Sequence, residues 1–333
     1  MLEILSQTWS AIQGTLFPWL DEQLGPTTEK QKKLIAILEV VRIEEFIASQ
    51  FGEVGRPRKT RGQLARAFVA KAVYNLPTTR SLIECLQAEP ALRRICGWDF
   101  PWEIPGESTF SRAFAEFANS ELPVRAHNAL IVKFYAGSIV EHTSRDSTPI
   151  EGREKPVKKS KKKAKPKKRG RPKKGEEPES EPRRIEKQLS MPLESMLADL
   201  PKACDVGCKK NAKGYMEIWI GYKLHIDTAD GDIPLNFILT SASVHDSQVA
   251  IPLATETSSL VSSMYDLMDS AYDVPEVIDH SKSLGHVPIV DVNPRRNAEL
   301  KQQLEDERKA CKALGLEFPE KRRYKKRSSI NHI

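Results

Sequence analysis

The sequence contains no run of about 18 uninterrupted apolar residues and no basic-then-apolar leader ending in a small-residue cleavage site. A chain without either is expected to be neither membrane-spanning nor exported, and to work in the cytoplasm. Cysteine is scarce: there are five, at positions 85, 96, 204, 208 and 311. The odd number and wide spacing exclude a disulfide scaffold and fit a reducing compartment. Acidic residues are absent from Pro156 to Lys174, a stretch that holds twelve Lys and Arg; taking those from the net charge of +7 leaves the rest of the chain at −5. The basicity is thus a local device, which points to nucleic acid as a partner.

What is present is enough for a large core. At 333 residues and 39% hydrophobic content the chain is expected to form two domains and a linker. The first part reads as helical. After the apolar Leu16-Phe-Pro-Trp-Leu20, a helical period runs through Leu34, Ile35, Leu38, Val41, Ile43, Phe46 and Ile47, and Gly55-Arg-Pro-Arg-Lys59 makes a basic turn. Leu64, Phe68, Val69, Ala72 and Val73 predict a helix from Arg61 that Pro77 limits, with Arg61, Arg66 and Lys71 as its polar positions. Short helices follow from Thr79 and from Pro90 to Gly97. Ser108 is placed as the N-cap of a helix bearing Phe110, Phe114 and Phe117, and His127 to Tyr135 is one more helix. Closely spaced short helices with interleaved arginines fit a helix-turn-helix reader of DNA. They fit an all-helical packing domain equally well.

An apolar strand then leads into Arg145-Asp-Ser-Thr-Pro149, placing Asp146 just beyond the strand end. Composition shifts abruptly after it, and residues 154–187 cannot bury enough apolar surface to order themselves. Within that insertion Lys168, Arg169, Arg171, Lys173 and Lys174 surround a Gly-Arg-Pro core in the AT-hook pattern, which can lay arginines into a narrow minor groove. The plainer reading is a basic linker that binds phosphates without sequence preference.

Beyond the insertion, Met216 to Ile226 alternates as a strand, Asp230-Gly-Asp232 turns the chain, and Ile233 to Val244 returns as its antiparallel partner. A helix through Val249, Ile251 and Leu253 follows, then a strand from Met264 to Met268 that delivers Asp269. Val274 to Leu284 (helix), His286 to Val290 (strand), Lys301 to Leu314 (helix) and a basic run over Lys321 to Arg327 complete a mixed α/β order. Two strand-end aspartates far apart in sequence, Asp146 and Asp269, suggest one divalent-metal site. Asp246 is read as a helix N-cap. Cys204, Cys208 and His225 lack the fourth ligand that a zinc site needs, and Trp98, Trp102 and Trp219 are read as packing residues.

The pieces Asp146-Ser-Thr with Glu151-Gly-Arg-Glu-Lys155, His245-Asp-Ser-Gln248, Asp269-Ser-Ala-Tyr-Asp273 and Tyr324-Lys-Lys-Arg327 resemble the DDE transposases of bacterial insertion sequences that carry the Tyr-x2-Arg-x3-Glu-x6-Lys signature. Glu107-Ser-Thr-Phe-Ser-Arg112 is similar to the helical DNA-binding region ahead of such catalytic domains. The resemblance implies a helical DNA-binding domain over 1–136 and a catalytic domain of RNase H-like fold, a five-stranded mixed sheet flanked by helices. In that division 137–153 is the first catalytic strand with Asp146, 154–187 the basic insertion and 188–333 the remainder.

The resemblance further implies metal-dependent cleavage of transposon ends and strand transfer, with Asp146 and Asp269 holding Mg2+ or Mn2+. It also implies double-stranded DNA as partner, a homodimer and a bacterial, nucleoid-associated setting. Arg322, Arg323, Lys325 and Lys326, beside the signature Tyr324 and Arg327, would contact phosphates. The third acid of the signature falls on Asn331, and the lysine of the pattern would lie past residue 333. An amide brings no charge to a cation, so the resemblance implies a truncated product with one metal site impaired. Glu317 and Glu320 are the nearest substitutes, expected on a different element from Tyr324. A non-catalytic DNA-binding regulator or inhibitor of transposition, and a helix-turn-helix transcription factor, are the alternatives.

Overall fold

The computed structural model describes residues 27–47, 60–157, 182–210, 214–295, 297–315 and 319–327. It divides into two compact units, Met1–Leu130 and Ile131–Ile333.

The first unit is helical. Helix α1 (Glu29–Val41) starts where Thr28 and Gln31 exchange side-chain to backbone hydrogen bonds, a capping box that satisfies two end groups at once, and it buries Leu34 and Leu38. Helix α2 (Arg61–Val73) turns Leu64, Ala65, Ala67 and Ala70 inward. Helix α3 (Thr79–Ala88) is capped by the Thr78 hydroxyl. Helix α4 (Pro90–Cys96) begins with proline and ends at Gly97, whose φ of 102° suits a residue without Cβ. Helix α5 (Glu107–Asn119) starts at the cap Gly106, so Ser108 lies inside the first turn and not at the cap. Phe110 and Phe117 are buried, while Phe114 is exposed, its ring centre 5.4 Å from that of Phe68. The division between the units falls within helix α6 (Leu122–Phe134).

The interleaved arginines of this unit are largely ties. Arg61 pairs with Glu116 at 2.8 Å, Arg66 pairs with Glu44, and buried Arg93 donates to the carbonyls of Leu86 and Gln87. Trp98 is buried, whereas Trp102 is 77% exposed and stacked on Phe100, so Trp102 does not pack as the sequence reading has it.

The second unit is a mixed sheet. Strand β1 (Ile139–Glu151) is followed by helices α7 (Arg184–Gln188) and α8 (Leu193–Asp199). Strands β2 (Asp205–Lys210), β3 (Met216–Ala229) and β4 (Ile233–Ser241) precede helix α9 (Ser247–Leu260). Strand β5 (Ser262–Met268), helix α10 (Pro275–Ser283), strand β6 (Val287–Val290), helix α11 (Ala298–Leu314) and helix α12 (Pro319–Tyr324) complete it.

The sheet order is β2-β3-β1-β5-β6, with β4 also paired to β3. β1 lies antiparallel to β3 and parallel to β5, and β5 is parallel to β6. β2 and β4 share one edge of β3, β2 along residues 216–221 and β4 along 222–229. The hand-over falls at Gly221, where a Cβ would stand 2.2 Å from the Ile150 carbonyl oxygen, so only glycine fits. This is the mixed sheet with flanking helices of an RNase H-like fold, widened to six strands by β2, which the sequence reading missed. That reading also assigned residues up to 187 to the insertion; from Arg184 they are helical, with Ile185 buried in the core.

One face of the sheet is packed by α7 to α10. Ile185, Met196, Ala250, Ile251, Met268, Tyr272 and Val277 form one cluster there, and Leu200, Ile238, Val244, Val249 and Leu253 a second. The opposite face carries α12, held against β5 and β6. No helix among the described residues is long and apolar enough to cross a membrane.

Candidate active site

The site grows out of the pairing of two strands. Parallel pairing of β1 with β5 ends at Arg145 opposite Met268, so Asp146 and Asp269 are the next residues on adjacent chains. Neighbouring strands run about 5 Å apart. Asp146 is not beyond the end of β1, as the sequence suggested. The strand continues to Glu151 on its pairing with β3 alone, and it tolerates Pro149 there because β5 no longer flanks that stretch.

Successive side chains of β1 point to opposite faces. Arg145 and Ser147 reach the helix-packed face, where they bond Asp227 and Asp246. His142 and Asp146 lie on the other, where His142 stacks on Tyr265, and the ring of Tyr265 carries the guanidinium of Arg323 4.0 Å from its centre.

Asp146 is 9% exposed, and its Oδ1 accepts the amide N–H of Ser147 at 2.8 Å. Burial pushes its carboxyl above the ordinary aspartate range, and the charge of Asp269 adds to that. The Ser147 amide, Arg327 and Lys209 pull the other way. Asp269 accepts the amide of Ala271, which fixes its side chain at the start of a short 3-10 turn, and Arg327 Nη1 stands 3.7 Å from its Oδ2. That nitrogen is buried without a hydrogen-bond partner. Buried Asp146 beside the partly exposed Asp269, faced by an arginine whose Nη1 approaches Asp269 without hydrogen-bonding it, makes a set of hard oxygen donors. They fit a divalent cation such as Mg2+. Tyr324 borders the same place: burial raises its hydroxyl above the usual range, as do the charges of Asp291, Asp269 and Asp146, against the pull of Arg327.

The signature residues Tyr324 and Arg327 therefore meet the two aspartates. Of the basic residues placed on DNA by the sequence reading, Arg323 pairs with Glu141 at 3.1 Å and Lys326 approaches it at 3.8 Å, so both help anchor α12. Arg322 and Lys325 are exposed. Glu320 lies in α12, the same element as Tyr324 and not a different one. Asn331, Glu317, Lys168, Arg169, Arg171, Lys173 and Lys174 lie outside the described residues.

Charges that the sequence reading passed over support the site from the other face. Arg145 is fully buried and bidentate to Asp227, with Nε to Oδ1 and Nη2 to Oδ2 both at 2.8 Å; Thr257 donates to the same carboxylate. Burial works against the Arg145 charge, but Asp227 and Asp266 outweigh it and hold the guanidinium above its usual range. Asp266 is held in turn by Ser281 and His286.

Asp246 precedes α9 but makes no capping bond. Its Oδ1 accepts from Ser147 at 2.9 Å and from Lys223 Nζ at 3.1 Å, which overturns the N-cap reading. Buried His225 bonds Thr240 through Nε2, and burial pushes its pKa down to about 4 against the pull of Asp246. A further group, Glu141, His142 and Asp230, brings three ligand atoms together. Arg323 already lies 3.1 Å from Glu141 and 3.4 Å from His142 Nε2, so a cation of the chain's own balances it. Inward-facing charges in apolar strands, such as Asp227 in Leu-His-Ile-Asp-Thr, were the available signal for these partners.

Comparison with known proteins agrees with this architecture. A transposase domain (DUF772) matches residues 20–116, and a transposase DDE domain matches residues 203–332. Neither the curated proteins nor the solved structures include a match. The helical first match and the DDE second match, which spans strands β2 to β6 of the mixed sheet, place the chain among the DDE transposases of the insertion-sequence type.

Proposed function

We propose that this chain cuts the DNA strands at the ends of its own element and joins them to a target, using Mg2+ or Mn2+ held by Asp146 and Asp269. Bound divalent cations supply neutralisation of the attacking and leaving oxygens of an in-line phosphoryl displacement. In cleavage, water adds to the phosphorus while the bond to the 3′ oxygen breaks, leaving a 3′-hydroxyl and a 5′-phosphate. In joining, that 3′-hydroxyl forms a new ester as the target's own 3′ oxygen departs, so one phosphodiester replaces another and no external energy source is needed. Asp146 and Asp269 orient the site from adjacent strands, Arg327 and Tyr324 line its rim, and Arg322, Lys325 and the lysine tract draw in the DNA backbone. The protein acts on double-stranded ends as a homodimer in the bacterial cytoplasm, at the nucleoid.

The observation that carries this reading is the strand register that makes Asp146 and Asp269 neighbours, with Arg327 as their counter-charge. The test is a nicking assay on a duplex bearing the element's ends with Mg2+ or Mn2+. Cutting that is lost in Asp146→Ala and in Asp269→Ala supports it; cutting that survives both substitutions refutes it.

A second reading is favoured by Asn331, which stands where the family signature has its third acid. In that reading the chain occupies element ends without cutting and represses transposition. Tight, end-specific binding with no nicking in either metal would select it.

A further inference from the structure

The polar cluster on the helix-packed side of β1 has no part in the chemistry described so far, yet it meets the site through one peptide unit. Ser147 is buried, and it makes two bonds in opposite directions. Its amide N–H donates to Asp146 Oδ1 at 2.8 Å, and its hydroxyl donates to Asp246 Oδ1 at 2.9 Å. Asp246 is itself clamped. Lys223 Nζ reaches its Oδ1 at 3.1 Å while also donating to the Val244 carbonyl at 2.8 Å, and His225 Nδ1 stands 3.7 Å away.

An aspartate at the head of a helix ordinarily caps it, because its oxygen satisfies a free backbone N–H. Asp246 instead has helical backbone angles, φ −58° and ψ −40°, and turns its carboxylate to the sheet. The cap has been forgone, and Ser147 and Lys223 bond the carboxylate in its place.

We infer that Asp246 is a positioning residue for Asp146: fixed by Lys223, it holds the Ser147 hydroxyl, and Ser147 in turn presents its amide to the Asp146 carboxylate. The inference rests on the proposed metal-holding role of Asp146. Removing a partner that orients a metal ligand typically costs about 10- to 100-fold in metal affinity.

A plain structural role predicts something different. If Asp246 and Lys223 only staple α9 to β3, deleting the Ser147 hydroxyl leaves the staple intact and metal affinity unchanged. The test is therefore Mn2+ titration of the full chain, followed by the paramagnetic signal of free Mn2+, with unfolding midpoints recorded alongside. Ser147→Ala and Asp246→Asn are each expected to weaken Mn2+ binding about tenfold. Their combination should be no weaker than the worse single, since both break one chain of contacts. Ser147→Thr, which keeps a hydroxyl, should retain affinity.

An Ser147→Ala protein within twofold of the parent overturns the inference, as do two effects that multiply. Asp146→Ala is the control for the underlying reading. If the parent binds no Mn2+, or Asp146→Ala binds as well as the parent, the metal reading fails and takes the inference with it.

Discussion

Arg145 and Asp227 offer the sharpest test of how the site is supported. Both side chains are buried, 2% and 0% exposed, and two parallel 2.8 Å bonds join them. Replacing Arg145 by Met leaves an ionised carboxylate in the core beside Asp266, and replacing Asp227 by Asn leaves a guanidinium with half its partner. Breaking one side of a buried pair costs about 3–5 kcal/mol. For a unit of this size each kcal/mol moves the unfolding midpoint by roughly 2–4 °C, so Arg145→Met should lower it by about 10 °C. The double variant Arg145→Met with Asp227→Leu should be more stable than Arg145→Met alone, because no charge is then stranded. It should still fall short of the parent by about 1–2 kcal/mol, since Thr257 loses the acceptor for its hydroxyl. Urea unfolding followed by far-ultraviolet circular dichroism reads all three. A loss under 1 kcal/mol in Arg145→Met, or a double variant weaker than both singles, would refute the reasoning.

Further outcomes follow from the same geometry. Burial raises the Asp146 carboxyl, so its ionised form costs stability above its folded pKa and that cost disappears as pH falls below the ordinary aspartate range. Asp146→Asn should thus unfold at a higher temperature than the parent at pH 7, and the gap should close in acid; an unchanged midpoint at pH 7 counts against it. His225 is held neutral with a pKa near 4, so its contribution is intact above about pH 6.5 and drains away as pH falls towards 4. It amounts to about 3 kcal/mol, and nuclear magnetic resonance should find its ring still predominantly neutral at pH 5, where a free imidazole is mostly protonated. Deleting residues 158–174 should weaken DNA binding and flatten its dependence on salt, as expected when phosphate contacts are removed; an unchanged slope denies the tract a role.

Much of the second unit was legible because its strands alternate and its turns carry the expected residues. The β3–β4 hairpin follows from Asp230-Gly-Asp232, and the strand that delivers Asp269 follows from a short apolar run. Asp146 was singled out by residue type, and its place within the strand was misread. Ser-Thr-Pro after it has the composition of a turn, and nothing local reveals that β3 keeps pairing as far as Glu151. β2 was invisible because Asp205-Val-Gly-Cys-Lys-Lys210 lacks β-branched residues at most positions; its pairing with β3 decides the matter. Asp246 and Asp227 were misread or passed over for one reason. A charge in sequence is assumed to meet water, whereas here each finds its partner on a segment more than 20 residues away.

The alternation of Arg145 and Asp146 along one strand also guards against misassembly. A slip of a single position between β1 and its neighbours would turn every side chain to the wrong face. It would drive the Asp146 carboxylate among the apolar helices, pull the guanidinium out onto the opposite face, and strand Asp227 with no cation. The buried pair that holds the interior together thereby also fixes the face on which Asp146 emerges, the one it shares with His142 and Tyr265.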